Sequence, residues 1–419
     1  MKVLVVGSGG RESAIVWKLN QSGQVSKIYA APGNVGMQNI AELVDISSTD
    51  IFRLLEFAEK EKIDLTVVGP EAALALGIVD IFEEKGLRIF GPTKAAAIIE
   101  YSKSFSKDFM KRNNIPSAWY ELFESKDLAY DYIAKQTFPL VIKADGLAVG
   151  KGVYICENLT EAETALNDLM DLSKFGESGK KVVIEEYLEG TEVSVLSFVD
   201  GRTVVPMISA KDHKRIYDGD KGPNTGGMGS VSPNPAYDYE TSLVCMEEIF
   251  KPTVAALAKE GIPFKGVIFF GLMLTKSGPK LIEYNARFGD PETQAVLPML
   301  DFDIFEIFLA CCDGSLDKLN IKWKEGAAVC VVLASKGYPD DFEKGFVING
   351  FSSLDEKEDA LVFMAGARSE GDKIVTAGGR VLGVTAIADT VKEAVNKAYT
   401  YSANIEFENK YCRNDIGRN

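Results

Sequence analysis

Histidine is nearly absent from these 419 residues: His213 is the only one. Chemistry that needs a histidine–carboxylate pair or a multi-histidine metal site therefore has almost nothing to work with. The six cysteines, Cys156, Cys245, Cys311, Cys312, Cys330 and Cys412, form no CxxC pair and no zinc spacing, which suits free thiols in a reducing compartment. No apolar run approaches the roughly 20 residues of a membrane span, and the opening stretch from Lys2 to Gly7 is too short for a signal-peptide core. A cytoplasmic location without a membrane partner is expected. Net positive charge is lacking as well. The formal charge of -15 repels nucleic acid at long range and leaves any anionic substrate to local Lys, Arg and backbone N–H groups.

Two familiar nucleotide signatures are also missing. Gly7-Ser8-Gly9-Gly10-Arg11-Glu12 follows a strand-like run, but a GxGxxG fingerprint needs glycine where Glu12 stands, so a nicotinamide site is not expected. Gly152 stands where a Walker loop needs Ser or Thr after Lys151, which excludes that loop too.

What is present is a chain with 46% apolar residues, long enough for two to four domains. Up to about Glu100, short apolar runs (Val3 to Val6, Lys27 to Ala31, Leu65 to Val68, Arg88 to Phe90) alternate with helical segments such as Ile51 to Lys60 and Leu74 to Lys85. That alternation predicts a doubly wound parallel sheet over 1–100, with ligand turns at Gly7 to Gly10, Pro32-Gly33-Asn34 and Gly69-Pro70-Glu71. An α+β subdomain is expected over 101–189, with a lid hairpin at about 120–188. A second over 190–325 has longer alternating strands and one helical segment around Tyr239 to Lys259. A small mixed α/β domain over 326–419 closes the chain.

Five segments carry chemistry. The glycines before Arg11 would let a phosphate approach a helix N-terminus, although a tight turn without a ligand is the alternative. Between strands, Gly146, Gly150 and Gly152 make a flap that closes over a triphosphate with Lys151, while Lys143 reaches it from the strand end. Glu185 to Leu188 and Glu192 lie where backbone groups could read an adenine edge and a carboxylate could take ribose hydroxyls, with solvated acidic residues the alternative for Glu186. Strand alternation puts Glu283, Asn285 and Arg287 on one face, where the first two suit Mg²⁺ and Arg287 suits bidentate contact with a carboxylate or phosphate. Lys211 to Gly229 is rich in glycine and polar groups and is expected to be a functional loop whose cations steady a phosphate. His213 could equally be a hydrogen-bonded structural residue.

These segments, with Ser102-Lys103, Asp212-His213-Lys214-Arg215, Gly222 to Gly229, Ile282 to Glu292 and Arg413 to Gly417, occur in an order that resembles the phosphoribosylamine–glycine ligase family of the ATP-grasp superfamily over essentially the whole chain. The resemblance implies a pre-ATP-grasp domain, an ATP-grasp core of two α+β subdomains and an accessory domain. It implies ligation of glycine to phosphoribosylamine with ATP through an acyl phosphate, in purine biosynthesis, by a monomer or weak homodimer. ATP would be bound by Lys103, Lys143, Gly146, Gly150, Lys151, Gly152, Glu185, Glu186, Tyr187, Leu188 and Glu192, and Mg²⁺ or Mn²⁺ by Glu283 and Asn285. Gly9, Gly10, Arg11, Glu12, Asn34, Pro70, Glu71, Asp212, His213, Lys214, Asn224, Thr225, Gly226, Arg287 and Asp290 would place the sugar phosphate and glycine. Lys143, Lys151 and Arg287 would act in catalysis. Leu272 and Met273 occupy the region where many ATP-grasp enzymes carry a second acidic metal ligand. Another ATP-grasp carboxylate–amine ligase is the alternative.

Overall fold

The computed structural model describes residues 1–146, 152–170, 179–351 and 359–418, and all elements and contacts below are of those residues. Gly150 and Lys151, both expected on the lid, lie outside them.

The N-terminal unit is a five-stranded parallel sheet of β1 (Lys2–Gly7), β2 (Lys27–Pro32), β3 (Glu42–Leu43), β4 (Leu65–Val68) and β5 (Ile89–Phe90), in the order β3-β2-β1-β4-β5. Val3, Leu4, Val5 and Val6 are fully buried, because helices cover both faces and an alternating pattern would leave polar groups in the core. Those helices include α1 (Gly10–Leu19) and α2 (Ile51–Glu61). The single helix expected over Leu74 to Lys85 is two, α3 (Glu71–Ala75) and α4 (Ile78–Glu84). Gly77 breaks it at φ 85°, a left-handed conformation that ends one helix and opens the next.

Thr93 and Ser102 cap α5 (Lys94–Tyr101) and α6 (Lys103–Arg112) through their side-chain oxygens. A four-stranded antiparallel sheet follows, ordered β6-β9-β7-β8, with β6 (Tyr120–Phe123), β7 (Leu140–Ala144), β8 (Val153–Cys156) and β9 (Val182–Glu186). Helices α7 (Lys126–Ile133) and α8 (Leu159–Leu169) back it. β7 and β8 form the expected hairpin, closed at its base by Ala144 N donating to Gly152 O at 2.9 Å.

The next sheet is antiparallel, ordered β11-β10-β16-β17, from β10 (Thr191–Asp200), β11 (Val204–Pro206), β16 (Lys265–Thr275) and β17 (Gly278–Asn285). The loop expected from Lys211 to Gly229 is largely strand. It holds β12 (Lys211–Asp212), the hairpin of β13 (Arg215–Tyr217) with β14 (Lys221–Asn224), and then β15 (Gly229–Ser232). β12 and β15 extend the C-terminal sheet of β18 (Ala327–Ser335), β19 (Ala360–Met364) and β22 (Arg380–Ala388), so that sheet crosses the division expected at 325/326. Glycine did not prevent this, since Gly229 and Ser230 pair with Val331 and Cys330 and their small side chains fit against a buried neighbour strand. The segment Tyr239 to Lys259 is helical throughout but passes through a π-helical turn at Met246–Phe250.

Candidate active site

The lysines expected around the phosphates converge from two elements. Lys143 ends β7, and its Nζ lies 3.0 Å from Glu185 Oε2 on β9. Val141 faces Glu185 across the ladder, so Lys143 and Glu185 are diagonal neighbours on one face. Lys103 opens α6 and donates from Nζ to Gly146 O at 2.8 Å. Asp145, beside it, accepts from Ser104 N at 3.0 Å and from Ser104 Oγ at 2.6 Å. The base of the lid hairpin is thereby tied to the N-terminus of α6, where a carboxylate is favoured by the helix dipole.

Glu185 does not face a nucleotide directly. It is 3% exposed and its Oε2 is shared between Lys143 and Lys107, the latter at 2.9 Å. Burial pushes its carboxyl up, and the two ammonium groups outweigh this and hold it below the usual range. Glu186 lies half-buried with Lys280 at 3.4 Å, Tyr187 is half-buried, and Leu188 is buried.

Glu283, on β17, stands among four cations. Burial pushes its carboxyl up, and Lys214, Lys143, Lys103 and Arg287 more than compensate, so it is held ionised below the usual range. Its nearest ion-pair partner is Lys214 at 3.8 Å, which also contacts Glu192 at 3.1 Å. Asn285, two residues on, presents its Oδ1 to Arg287 at 3.4 Å. Among the described residues no group of three or more His, Cys, Asp or Glu could hold a metal ion. An ionised carboxylate and an amide oxygen on one strand face fit a hard divalent cation whose remaining ligands come from phosphate and water. Gly271 on β16 stands opposite Glu283, Leu272 is fully buried, and neither can supply a second acid.

Arg287 does not offer an open fork. Its guanidinium is held by Glu100 at 2.9 Å and Glu71 at 3.4 Å, and it donates to Phe288 O at 3.2 Å. Glu71 also lies 3.8 Å from Arg11, whose NH1 donates to Phe288 O. The N-terminal turn after β4 is in this way joined to the end of β17.

Several residues expected on the substrate are occupied elsewhere. Glu12 is 2% exposed and accepts from Gly9 N at 2.6 Å and Arg11 Nε at 2.5 Å. It is the protein's own anion at the start of α1, and it takes one of the donors expected for a phosphate. A Cβ at Gly69 would collide with its carboxylate, so that turn is glycine to make room for Glu12. Asn34 is buried, with Nδ2 on Ser8 O, Ser13 Oγ and Met364 O and Oδ1 on Gly36 N, so its whole amide is spent on the turn. Thr225 donates to Lys214 O and accepts from Gly227 N. Both His213 nitrogens are used: Nδ1 faces Gly229 O at 3.3 Å and Nε2 accepts from Gly417 N at 3.4 Å. Burial, with help from Arg413 and Lys211, pushes the ring down to about 4, so it is neutral and structural.

Asn224 ends β14 opposite Arg215, at the open end of the hairpin, and Pro70 caps α3. Gly9 and Gly10 form the first turn of α1. Asp290 pairs with Arg380 at 3.2 Å and accepts from Gln294 Nε2 at 2.8 Å. Arg380 also donates to Gly226 O at 2.6 Å, which turns Gly226 towards the C-terminal sheet. Asp212 and Glu292 form a buried acidic pair. Burial raises both carboxyls, Asp212 well above its usual range, and Glu292 adds to the effect on Asp212. Sequence inspection missed Lys107, Glu100, Glu292 and Arg380. Lys107 follows Lys103 by one helical turn, the one sequence signal that could have placed it on the same face.

A hairpin sheet and a second antiparallel sheet, with lysines and one ionised carboxylate between them, define an ATP-grasp protein. The fold is shared at low identity with biotin carboxylase from Campylobacter jejuni, at TM-score 0.73 and 15% identity over 98% of this chain and 92% of that one. Residues 1–100, 101–293 and 328–419 match the phosphoribosylglycinamide synthetase N, ATP-grasp (A) and C domains. The chain is 52% identical over 416 residues to a phosphoribosylamine–glycine ligase of Caldanaerobacter subterraneus, covering 99% of each. The crystal structure of the enzyme of that name from Thermotoga maritima superposes at TM-score 0.87 with 35% identity, covering 99% of this chain and 100% of that one. The chain belongs to the phosphoribosylglycinamide synthetase family.

Proposed function

We propose that the cleft around Glu283 is where this chain carries out its reaction, the ATP-dependent joining of glycine to 5-phosphoribosylamine in purine biosynthesis, giving glycinamide ribonucleotide, ADP and phosphate. The observation that carries the assignment of the site is Glu283, half-buried yet ionised by four surrounding cations. Lys143 and Lys103 hold the polyphosphate. Glu192, with the segment from Glu186 to Leu188, takes the nucleoside. Glu283 and Asn285 would hold a divalent cation, Mg²⁺ or Mn²⁺, which would supply neutralisation of phosphate charge.

Glycine's carboxylate attacks the γ-phosphorus in line, ADP leaves, and glycyl phosphate forms. The amine of phosphoribosylamine then attacks the acyl carbon and displaces phosphate, losing its proton as the amide forms. Arg287, locked by Glu100 and Glu71, supplies fixed positive charge beside the transferring group without reorganising. The lid, tied to α6 through Asp145 and Lys103, excludes water that would hydrolyse the acyl phosphate. Little acid–base chemistry is needed, in keeping with a chain whose one histidine is buried and neutral.

Purified protein supplied with ATP and Mg²⁺ tests this. Amide product and stoichiometric phosphate are expected when glycine and phosphoribosylamine are both present. A different carboxylate or amine that outcompetes either would overturn the substrate assignment in favour of another ATP-grasp ligase.

A further inference from the structure

We propose that Lys107 is a positioning residue for the nucleotide: it shares the Glu185 carboxylate with Lys143, leaving Lys143 with surplus charge to direct at the polyphosphate. The inference rests on the assignment of Lys143 to ATP made above. Lys107, Lys143 and Glu185 have side chains 3%, 5% and 3% exposed, and both ammonium groups bind the same oxygen, Glu185 Oε2, at 2.9 and 3.0 Å. Two cations on one carboxylate leave one positive charge over at that oxygen, and the next acid that acts on Lys107 is Glu283. Lys103 stands close by as well and acts on Lys143 and on Glu283, with Glu283 and Asp145 as its own counter-charges. Burying uncompensated charge is costly, and a structural ion pair would be completed by one lysine.

The excess has a purpose if an anion completes it. The α6 face that carries Lys103 and Lys107 one turn apart is the face that meets β7 and β9, and Lys103 already reaches the lid base at Gly146. The ion-pair partner of Lys107 among the described residues is Glu185. Its effect passes through Glu185: with Lys107 present, the carboxylate is half satisfied, and Lys143 is held in place without being neutralised. Burial lowers the Lys107 ammonium's proton affinity and Lys143 lowers it further, while Glu185 opposes both. An arriving polyphosphate relieves that strain.

A merely structural lysine and a positioning lysine predict opposite signs. Replacing Lys107 with the near-isosteric Met leaves a neutral Glu185–Lys143 pair, so the nucleotide-free protein should melt at the same or a higher temperature. ATP affinity should fall by about tenfold or more, because Lys143 is then fully paired. Glu185→Gln removes the shared counter-ion and should lower the nucleotide-free melting temperature. Scanning calorimetry without nucleotide, titration calorimetry with ATP and Mg²⁺ but no glycine, and the separate KM values for ATP, glycine and phosphoribosylamine read all three. The expected result for Lys107→Met is a higher KM for ATP with the other two unchanged. Unaltered ATP binding by Lys107→Met overturns the inference, as does a drop in nucleotide-free stability with all three KM values rising together. Failure of the wild-type protein to bind ATP overturns the nucleotide cleft itself, and this inference with it.

Discussion

At Glu283 four cations act on one carboxylate whose closest ion-pair partner is 3.8 Å away, an arrangement better suited to receiving a ligand than to holding the fold. Glu283→Ala should therefore lower turnover on the order of 100-fold or more while circular dichroism and melting temperature stay near wild type. Unchanged turnover would remove Glu283 from the metal site. His213 makes the opposite case. Its ring is held neutral down to about 4, whereas in the unfolded chain it titrates near 6.5. Between those values only the unfolded chain binds the proton, so the contribution is full above about pH 6.5 and is lost as pH falls towards 4, by up to about 3 kcal/mol. Urea midpoints should decline from pH 6.5 to 5, and His213→Gln should flatten that part of the profile. Lys103, Lys143, Glu283 and Asn285 stand out in the sequence because glycine turns and strand ends bracket them. For Glu12, Asn34 and His213 the sequence does not show that their polar atoms are bonded within the fold, because a polar group beside a glycine turn serves a ligand or the turn itself, and only the distances tell which.

At the scale of elements, the hairpin of β7 and β8 and the capped start of α6 are one mechanical unit. Asp145 bonds Ser104 through both carboxylate oxygens, and Lys103 holds the next carbonyl. Asp145→Ala should cost about 1 kcal/mol of stability, as loss of a helix-terminus partner does. It should also loosen the lid, so that phosphate released per amide formed rises above one, measured by assaying both products together. Hydrophobic alternation predicted these strands and helices well, since the period of side chains follows directly from backbone geometry. The segment from Lys211 to Gly229 escaped it. Its strands are short, one pair is a free-standing hairpin, and β15 joins the C-terminal sheet by pairing with β18, which lies nearly a hundred residues further along.

Over the whole molecule, the C-terminal tail reaches back to the β13–β14 hairpin. Arg413 is fully buried, paired with Asp415 at 2.7 Å and Asp220 at 2.8 Å and donating to Arg215 O at 3.0 Å. Those contacts fix the hairpin that begins one residue after Lys214. Arg413→Ala opens a buried cavity and removes the guanidinium from Asp415 and from Arg215 O, while the exposed Asp220 is solvated, and should cost about 2–3 kcal/mol, read as a lower melting temperature. It should also raise KM for the substrates that depend on Lys214. No helix among the described residues is long and apolar enough to cross a membrane, in line with the absence of long apolar runs in the sequence. What the sequence determined by itself is local: the parallel N-terminal sheet from its unbroken apolar runs, the glycine hairpin, and the family through motifs in order. What only the tertiary structure decided is pairing at a distance. Glu185 bridges two lysines from different elements, Glu71 ties Arg11 to Arg287, and Arg380 comes from the far end of the chain to hold Asp290. The physical reason is that backbone periodicity is written in neighbouring residues, whereas a buried charge is neutralised by whichever group the packed fold brings within about 4 Å.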